Sequence, residues 1–261
     1  MPKLAVINIY PCKSLDALRL DRCAVLAGGA LENDRRFALC DRTGEFINGK
    51  NTPRVHTLRS VFDPSFHRIT LVDERSGESQ AFDIEAERPA LIDWLSRYFE
   101  MPVDIIENAA AGFPDDNEAP GPTVISTGTL REVASWFPGI TLEQARARFR
   151  ANLEIDADEP FWEDRLFAER DVPIRFRVGE AELLGTNPCA RCVVPSRDPQ
   201  SGEPIREFAR LFARRRQETL PVWAAADRFD HFYRLAVNTR PARAVHCEVR
   251  VGDTVTIVGP T

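Results

Sequence analysis

Short alternating runs of apolar and polar residues dominate the first hundred residues and predict a set of β-strands. These runs span residues 3–10, 17–26, 36–41, 68–73 and 80–84. Turn-forming stretches such as Asp41-Arg42-Thr43-Gly44 separate them. One helix interrupts the pattern between Leu91 and Phe99, where apolar residues recur at the spacing of a helical face. The first part of the chain is therefore predicted to be a β-rich unit.

A small, acidic and proline-rich stretch at residues 108–122 separates this unit from a second one. The second unit is predicted to open with a strand at 123–126 and a helix from Leu130 to Phe137. Further along, the pattern predicts a hairpin at 174–184, a helix from Ile205 and a closing hairpin at 247–258. The arginines at 214–216 are expected at the solvated end of that helix, where cations suit its dipole.

These elements predict a mainly β fold of the α+β class, with a few flanking helices. We predict an N-terminal β-barrel-like unit at residues 1–107 and a second β-barrel at residues 119–261. The length of 261 residues allows two modest domains, each with its own core.

Composition narrows the function. Apolar residues make up 43% of the chain and charged residues 28%, as in ordinary soluble proteins. The net charge of -6 argues against a nucleic-acid partner. No apolar run is long enough to span a membrane, and the first residues do not have the layout of a signal peptide. We therefore expect a cytoplasmic protein without a membrane partner.

Two of the six cysteines, Cys189 and Cys192, stand three residues apart beside Arg191. No second pair of this kind exists in the chain to complete a four-thiolate zinc site. The pair is therefore a redox dithiol, a source of a soft-metal ligand, or two packed thiols. The Arg191 cation is expected to favour a thiolate at Cys192, which is both a nucleophile and a ligand for soft metals.

Basic turns supply a second group of candidates. Lys13 and Ser14 follow a strand that ends at a proline, and a lysine beside a serine suits a phosphate oxygen. Arg35 lies in another basic turn. Arg150 and Asn152 are predicted to share one face of a strand, where they would suit a planar group bearing phosphates or heterocyclic edges. Taken alone, the Lys13 and Ser14 segment is better interpreted as an ordinary surface turn. For Arg150 and Asn152, a strand face turned to water is at least as good an interpretation.

Five motifs occur in a fixed order along the chain: Tyr10-Pro11-Cys12-Lys13-Ser14, Asp34-Arg35-Arg36-Phe37, Phe149-Arg150-Ala151-Asn152, Arg191-Cys192 followed by Asp198-Pro199-Gln200-Ser201-Gly202, and Val251-Gly252-Asp253. This ordered set resembles the MOSC-domain proteins that also carry an N-terminal MOSC-associated β-barrel. The mitochondrial amidoxime-reducing component and its bacterial relatives are members of that family.

The resemblance implies a molybdenum cofactor, in which the metal is bound to molybdopterin. By position, Cys192 corresponds to the molybdenum ligand and so to the catalytic centre. Lys13, Ser14 and Arg35 correspond to residues that hold the pterin and phosphate end of the cofactor. The remaining cofactor-binding residues implied by the resemblance are Arg150, Asn152 and Arg191. Binding of pyridoxal phosphate is also left open by the resemblance.

The implied activity is that of a molybdenum-dependent oxidoreductase that reduces N-hydroxylated or N-oxide small molecules. The last strand is not followed by a ferredoxin-type cysteine pattern, so a separate electron-transfer protein is the expected partner. The alternative is a carrier that holds the cofactor, or a sulfur atom as a Cys192 persulfide. A thioredoxin-like dithiol is a third hypothesis, disfavoured because the pair follows a hairpin.

The sequence also departs from the family pattern at two positions. Lys50 stands where an arginine is expected, and Phe232 aligns with an expected tyrosine. The roles of Cys189, His231 and Asp198 stay open, although an aspartate before a proline usually caps its own turn.

Overall fold

Strands make up most of the regular structure in the computed structural model, which describes residues 1–170, 172–244 and 246–261. The strands are β1 (Leu4–Ile9), β2 (Leu18–Leu20), β3 (Arg22–Val25), β4 (Phe37–Cys40), β5 (Leu58–Phe62), β6 (Arg68–Asp73), β7 (Ser79–Asp83), β8 (Asp104–Glu107), β9 (Val124–Ser126), β10 (Leu153–Ile155), β11 (Ile174–Val178), β12 (Ala181–Ala190), β13 (Arg234–Pro241), β14 (Cys247–Arg250) and β15 (Val255–Pro260). The sheet-dominated α+β fold expected from the sequence is confirmed.

The longer helices are α1 (Arg88–Phe99), α2 (Thr127–Ser135), α3 (Leu142–Phe149) and α4 (Phe208–Glu218). None of the described helices has the length and apolar character needed to cross a lipid bilayer. The helix α3 corrects the prediction that Arg150 and Asn152 share a strand. Thr141 caps α3 through a capping box with Gln144, and Arg150 ends the helix in the left-handed conformation before β10 begins.

One eight-stranded sheet, in the order β15-β11-β12-β13-β9-β10-β1-β2, organises the molecule. Its pairs are antiparallel except for β9 and β10, which are parallel. The first strand of the chain lies inside this sheet, since Leu4 of β1 pairs with Ile155 of β10. N-terminal residues thus form one wall of the region built mainly by the second half of the chain.

The other strands form smaller sheets: β5-β6-β7, the pair β4 and β8, and the pair β14 and β3. The last of these corrects the predicted closing hairpin. Although β14 and β15 are consecutive, β14 pairs with β3, and β15 pairs with β11. The predicted division into units at residues 1–107 and 119–261 stays a prediction. Strands from both ranges share sheets, so sheet membership does not divide the chain at that boundary.

Three apolar clusters fill the interior. The first lies under the large sheet, the second between β4–β8 and α1, and the third among α2, α3 and α4. Cys23 and Cys40 are buried, whereas Cys247 is only partly buried. Arg216 is 0% exposed, which corrects its predicted place at a solvated helix end.

The proline-rich stretch at 108–122 is anchored at both ends. At the first end, the backbone N–H of Phe113 donates to the carbonyl of Arg35 at 2.9 Å. Gly112 lies against this turn with φ +64°, and an added Cβ would fall 2.5 Å from the Asp34 carbonyl oxygen. At the second end, the N–H of Gly121 donates to the carbonyl of Thr239 at 2.9 Å. The segment between these anchors crosses the cavity described next.

Candidate functional site

A cavity of about 930 Å³ lies between residues from the first and second halves of the chain. Its lining includes all seven site residues predicted from the sequence: Lys13, Ser14, Arg35, Arg150, Asn152, Arg191 and Cys192. Positions separated by up to 179 residues in the chain therefore meet at one site. Lys50 and Cys189 line the same cavity.

Cys192 follows the end of β12 and precedes a short 3-10 turn at Val194–Ser196. Its thiol is free and partly exposed, as is that of Cys189. The described residues contain no group of three or more histidine, cysteine or acidic side chains placed to hold a metal ion.

Lys13 reaches the cavity from the turn after β1. Its Nζ donates to the Phe113 carbonyl at 2.9 Å and forms an ion pair with Asp115 Oδ1 at 2.5 Å. Burial lowers the pKa of Lys13, and the nearby Asp115 carboxylate opposes that effect. The ammonium is thus held in a partly desolvated place, where an anion is a favourable neighbour.

Two arginines flank the ring of Tyr10, which is 2% exposed. The guanidinium carbon of Arg150 lies 4.0 Å from the ring centroid and that of Arg35 lies 5.4 Å from it. Both backbones are left-handed, with φ of 50°. This conformation is uncommon outside glycine and is found where a site fixes the direction of a side chain.

The two guanidinium groups differ in their partners. Arg150 donates to the Leu15 carbonyl at 2.7 Å, and burial lowers its pKa. Arg35 is bonded to Asp34 and lies 3.7 Å from Asp115 Oδ2. Burial acts to lower the pKa of Arg35, but Asp34 and Asp115 outweigh it and raise that pKa. We call Lys13, Arg35 and Arg150 the cationic pole of the cavity.

Asp115 completes this pole and was not singled out by the sequence motifs. Although burial acts to raise the pKa of its carboxyl, Arg35 and Lys13 lower it to about 2. The signal available in the sequence was an acidic segment that had to cross from one unit to the other. The acidic composition predicts the negative charge of this segment but not which cations its carboxylates contact.

The polar atoms of Asn152 and Arg191 face the protein backbone. Asn152 accepts from the backbone N–H of Thr123 at 3.1 Å and donates to the Asn8 carbonyl at 3.1 Å. The Arg191 guanidinium donates to the Leu235 carbonyl at 2.6 Å and to the Phe149 carbonyl at 3.1 Å. These side chains join the strands and loops that form the cavity wall.

Ser14 has φ 74°, and its hydroxyl makes no hydrogen bond within the described part of the chain. It therefore keeps its donor available at the cavity surface, beside Lys13. The predicted role of each of the seven residues toward a cofactor stays a prediction.

Two residues hold the loop after Cys192: Arg148, which the sequence did not single out, and Asp198, for which the sequence predicted a turn cap. Arg148 is 4% exposed and donates to the carbonyls of Pro195, at 3.1 Å, and Arg197. Asp198 accepts from Arg148 at 3.3 Å and also caps its own turn through the N–H of Ser201 at 3.0 Å. His231, in contrast, lies outside the residues that line the cavity.

This arrangement places a thiol and a cluster of cations on the wall of one cavity. A thiolate binds soft metals, and the cations suit phosphate or another anionic group. A ligand that carries both a soft metal and an anion would match both groups.

Comparison with known proteins gives matches over most of the chain. Residues 1–92 match the family model of the MOSC N-terminal beta barrel domain, and residues 123–256 match that of the MOSC domain. "Molybdenum cofactor sulfurase 2" from Culex quinquefasciatus is 25% identical over 256 residues. That match covers 81% of this chain, but the chain spans only 33% of the length of that relative.

Among solved structures, the YUAD protein from Bacillus subtilis is similar over 98% of this chain and 94% of its own. The two are 13% identical, with a TM-score of 0.41.

Proposed function

The chain belongs to the MOSC domain family and carries that family's N-terminal β-barrel domain, and from this premise we propose that it is a molybdenum-cofactor-binding oxidoreductase with Cys192 as the metal ligand. The observation that carries the proposal is the shared cavity. A free, partly exposed thiol lines the same 930 Å³ space as Lys13, Arg35 and Arg150.

The donor set fits the cofactor chemically. Molybdenum bound to a pterin dithiolene needs few protein ligands, and one thiolate suits a soft metal. The phosphate of the pterin needs cations and hydrogen-bond donors, which the cationic pole and the Ser14 hydroxyl would supply. A cavity of this volume is at the upper end of the range for cofactor and small-molecule sites, so it leaves room for a small substrate.

When bound, the metal would supply the redox chemistry, as cofactors generally do. The chain's own residues would position it. Cys192 would hold the metal, while Arg148 and Asp198 fix the loop that follows this cysteine. Tyr10 would keep the guanidinium groups of Arg35 and Arg150 aimed at the phosphate end.

We propose reduction of N-hydroxylated or N-oxide small molecules as the reaction, on the strength of the ordered motifs described above. The electrons would come from a separate electron-transfer protein. A screen of molybdenum-loaded protein with amidoximes, hydroxamates and N-hydroxylated bases, under chemical reduction, tests this. Turnover of at least one class is expected, and failure of all three would overturn the reductase assignment while leaving the cofactor site intact.

A second candidate is sulfur transfer or storage, with Cys192 carrying a persulfide. The name of the Culex quinquefasciatus relative favours it, because that protein is called a sulfurase. In this role the cationic pole would bind the cofactor that receives the sulfur. The two candidates differ in what a purified protein would carry: a retained metal or a sulfur adduct.

The deciding experiment uses protein from a host that makes the molybdenum cofactor. Molybdenum content and the intact mass of the protein are measured for wild type, Cys192→Ser and the matched control Cys189→Ser. The oxidoreductase candidate predicts molybdenum near one atom per chain in wild type and Cys189→Ser, and at least a tenfold loss in Cys192→Ser. Equal molybdenum in all three would refute Cys192 as the ligand.

The sulfur candidate predicts a different result from the same samples. Wild type would lack molybdenum and carry an extra sulfur atom, which Cys192→Ser would lose and Cys189→Ser would keep.

A further inference from the structure

Asp115 occupies the cationic pole although it comes from the crossing segment rather than from a strand or helix. It pairs with Lys13 at 2.5 Å and lies 3.7 Å from Arg35. A phosphate bound at this pole would have to use the same ammonium and guanidinium groups. The carboxylate therefore competes with any anionic ligand for two of the three cations.

Asp34, the other carboxylate at the pole, differs from Asp115 in how firmly it is held. The Asp34 side chain is 10% exposed, is bonded to Arg35 and accepts the backbone N–H of Tyr10 at 2.7 Å. The Asp115 side chain is 67% exposed and contacts the Lys13 ammonium and the Arg35 guanidinium. Asp34 is thus tied to the backbone of the fold, whereas in the described part of the chain Asp115 is held by the cations alone, so it is the carboxylate that can move away.

The segment around Asp115 is also built to keep it near the pole. One anchor is Gly112, packed on the turn that contains Arg35. On the other side, Asn238 donates to Asp116 Oδ2 at 3.1 Å, and Gly121 bonds to Thr239. Few residues separate these anchors, and prolines at 114 and 120 restrict them further. A displaced Asp115 would therefore stay close and could return.

The charges give the consequence for selectivity. With Asp34 and Asp115 in place, the three cations of the pole keep one net positive charge. Moving Asp115 away leaves two, which matches a phosphate dianion better than a carboxylate monoanion.

We infer that Asp115 is an internal counter-anion that must be displaced when a phosphate-bearing ligand binds, and that it sets the affinity and selectivity of the pole. This inference rests on the proposed function, because that function makes the pole a phosphate site. Asp115 is thereby a specificity-determining residue that lowers affinity for all anions and rejects those too weakly charged to replace it.

The test is calorimetric titration of the purified chain with inorganic pyrophosphate at low ionic strength. Asp115→Asn keeps the size of the side chain and removes its charge. Asp116→Asn is the matched control, since it removes the neighbouring charge, which contacts Asn238 rather than the pole. We expect pyrophosphate to bind Asp115→Asn at least tenfold more tightly than wild type, and Asp116→Asn to stay within about twofold of wild type. Adding Lys13→Met to Asp115→Asn should abolish the gain.

Three results would overturn the inference: unchanged or weaker binding in Asp115→Asn, an equal gain in Asp116→Asn, or a gain that survives Lys13→Met. Thermal unfolding of each variant checks that it is folded. Molybdenum content, measured separately as above, distinguishes a failure of the role of Asp115 from a failure of the proposed function. Molybdenum without the pyrophosphate gain contradicts the role of Asp115 alone, while the gain without molybdenum contradicts the proposed function alone.

Discussion

Charged side chains are concentrated in two regions of this protein, one open to a cavity and the other buried in the core. At the cationic pole, Lys13 and Arg35 face an open cavity and share an exposed partner, Asp115. In the core below α4, Arg216 pairs with Asp164, and both side chains are sealed, at 1% and 4% exposure. Beside this pair, Glu163 is fully buried.

Aromatic rings and hydrogen-bond donors surround the sealed region. The guanidinium carbon of Arg216 lies 3.9 Å from the ring centroid of Phe161 and 4.9 Å from that of Phe229. Glu163 accepts from Thr129 Oγ1 at 2.9 Å and from the N–H of Ser126 at 3.2 Å. An ion pair enclosed in this way holds helices and strands together. A cation that faces a cavity, and whose carboxylate partner can move away, can instead bind an anionic ligand. The comparison predicts that mutations in the two regions will affect different measurements.

The largest effect on stability is expected from Arg216→Met. Methionine keeps the aliphatic packing but leaves Asp164 as an unpaired buried charge, so the variant should lose about 3–5 kcal/mol in free energy of unfolding. Urea denaturation measures this loss. Pyrophosphate binding of the folded variant should stay unchanged.

Arg214→Met is the control for Arg216→Met, since its side chain lies on the same helix with 63% exposure. It should change the unfolding free energy by less than about 0.5 kcal/mol. Combining Arg216→Met with Asp164→Asn removes both charges and should recover part of the loss. If Arg216→Met is as stable as Arg214→Met, the sealed pair does not hold the fold.

A smaller, pH-dependent effect is expected at Glu163. Burial, followed by the nearby Asp164, raises its pKa to about 7, while hydrogen bonds from Ser126 and Thr129 act against this. The unfolded chain loses the Glu163 proton near pH 4.3, before the folded chain does. Stability from this group is therefore full at low pH and falls as pH rises from about 4.3 to 7, by about 3 kcal/mol in total.

Glu163→Gln should remove this dependence. The variant should gain stability relative to wild type between pH 5 and pH 8, as measured by urea denaturation across that range. The exposed Glu85 provides the control, and Glu85→Gln should follow wild type at every pH. Parallel pH profiles for wild type and Glu163→Gln would contradict the buried, proton-retaining state of Glu163.

The smallest effect on stability, and the opposite pattern, is expected at the pole. Lys13→Met should weaken retention of pyrophosphate or cofactor about tenfold, because it removes one of three cations. It should leave the free energy of unfolding within about 1 kcal/mol of wild type, since the ammonium is already disfavoured by burial. Lys3→Met, at an exposed lysine outside the cavity lining, should change neither quantity. A large loss of stability in Lys13→Met would contradict the conclusion that the pole binds ligands while the sealed pair stabilises the fold.

Local pattern predicted the elements whose two faces differ. The strand predicted at 68–73 is β6, and the helical spacing from Leu91 to Phe99 gives the buried face of α1. The strand β13 was missed because both of its faces are buried, which removes the alternation. The helix α3 was missed because it has only eight residues and its buried face includes Arg148 and the small Ala145, which leaves little apolar periodicity.

The candidate site, too, could be predicted only in part. The ordered motifs brought Lys13, Arg35, Arg150 and Cys192 into one predicted site, and the fold gathers these residues around one cavity. The side-chain directions of Asn152 and Arg191 could not be predicted, because they depend on carbonyls of distant strands. The same holds for the pairing of β14 with β3, which depends on contacts far apart in sequence.

The position of β1 has a consequence for the synthesis of this protein on the ribosome. The ribosome adds Leu4, in β1, 151 residues before its partner Ile155 in the neighbouring strand β10. At translation rates of about 5–20 residues per second, β1 waits roughly 8–30 seconds for β10, with its apolar face incompletely covered. Such long-range pairing also slows folding. A nascent chain halted before β10 would present that face to chaperones, and completion of the central sheet would mark its release.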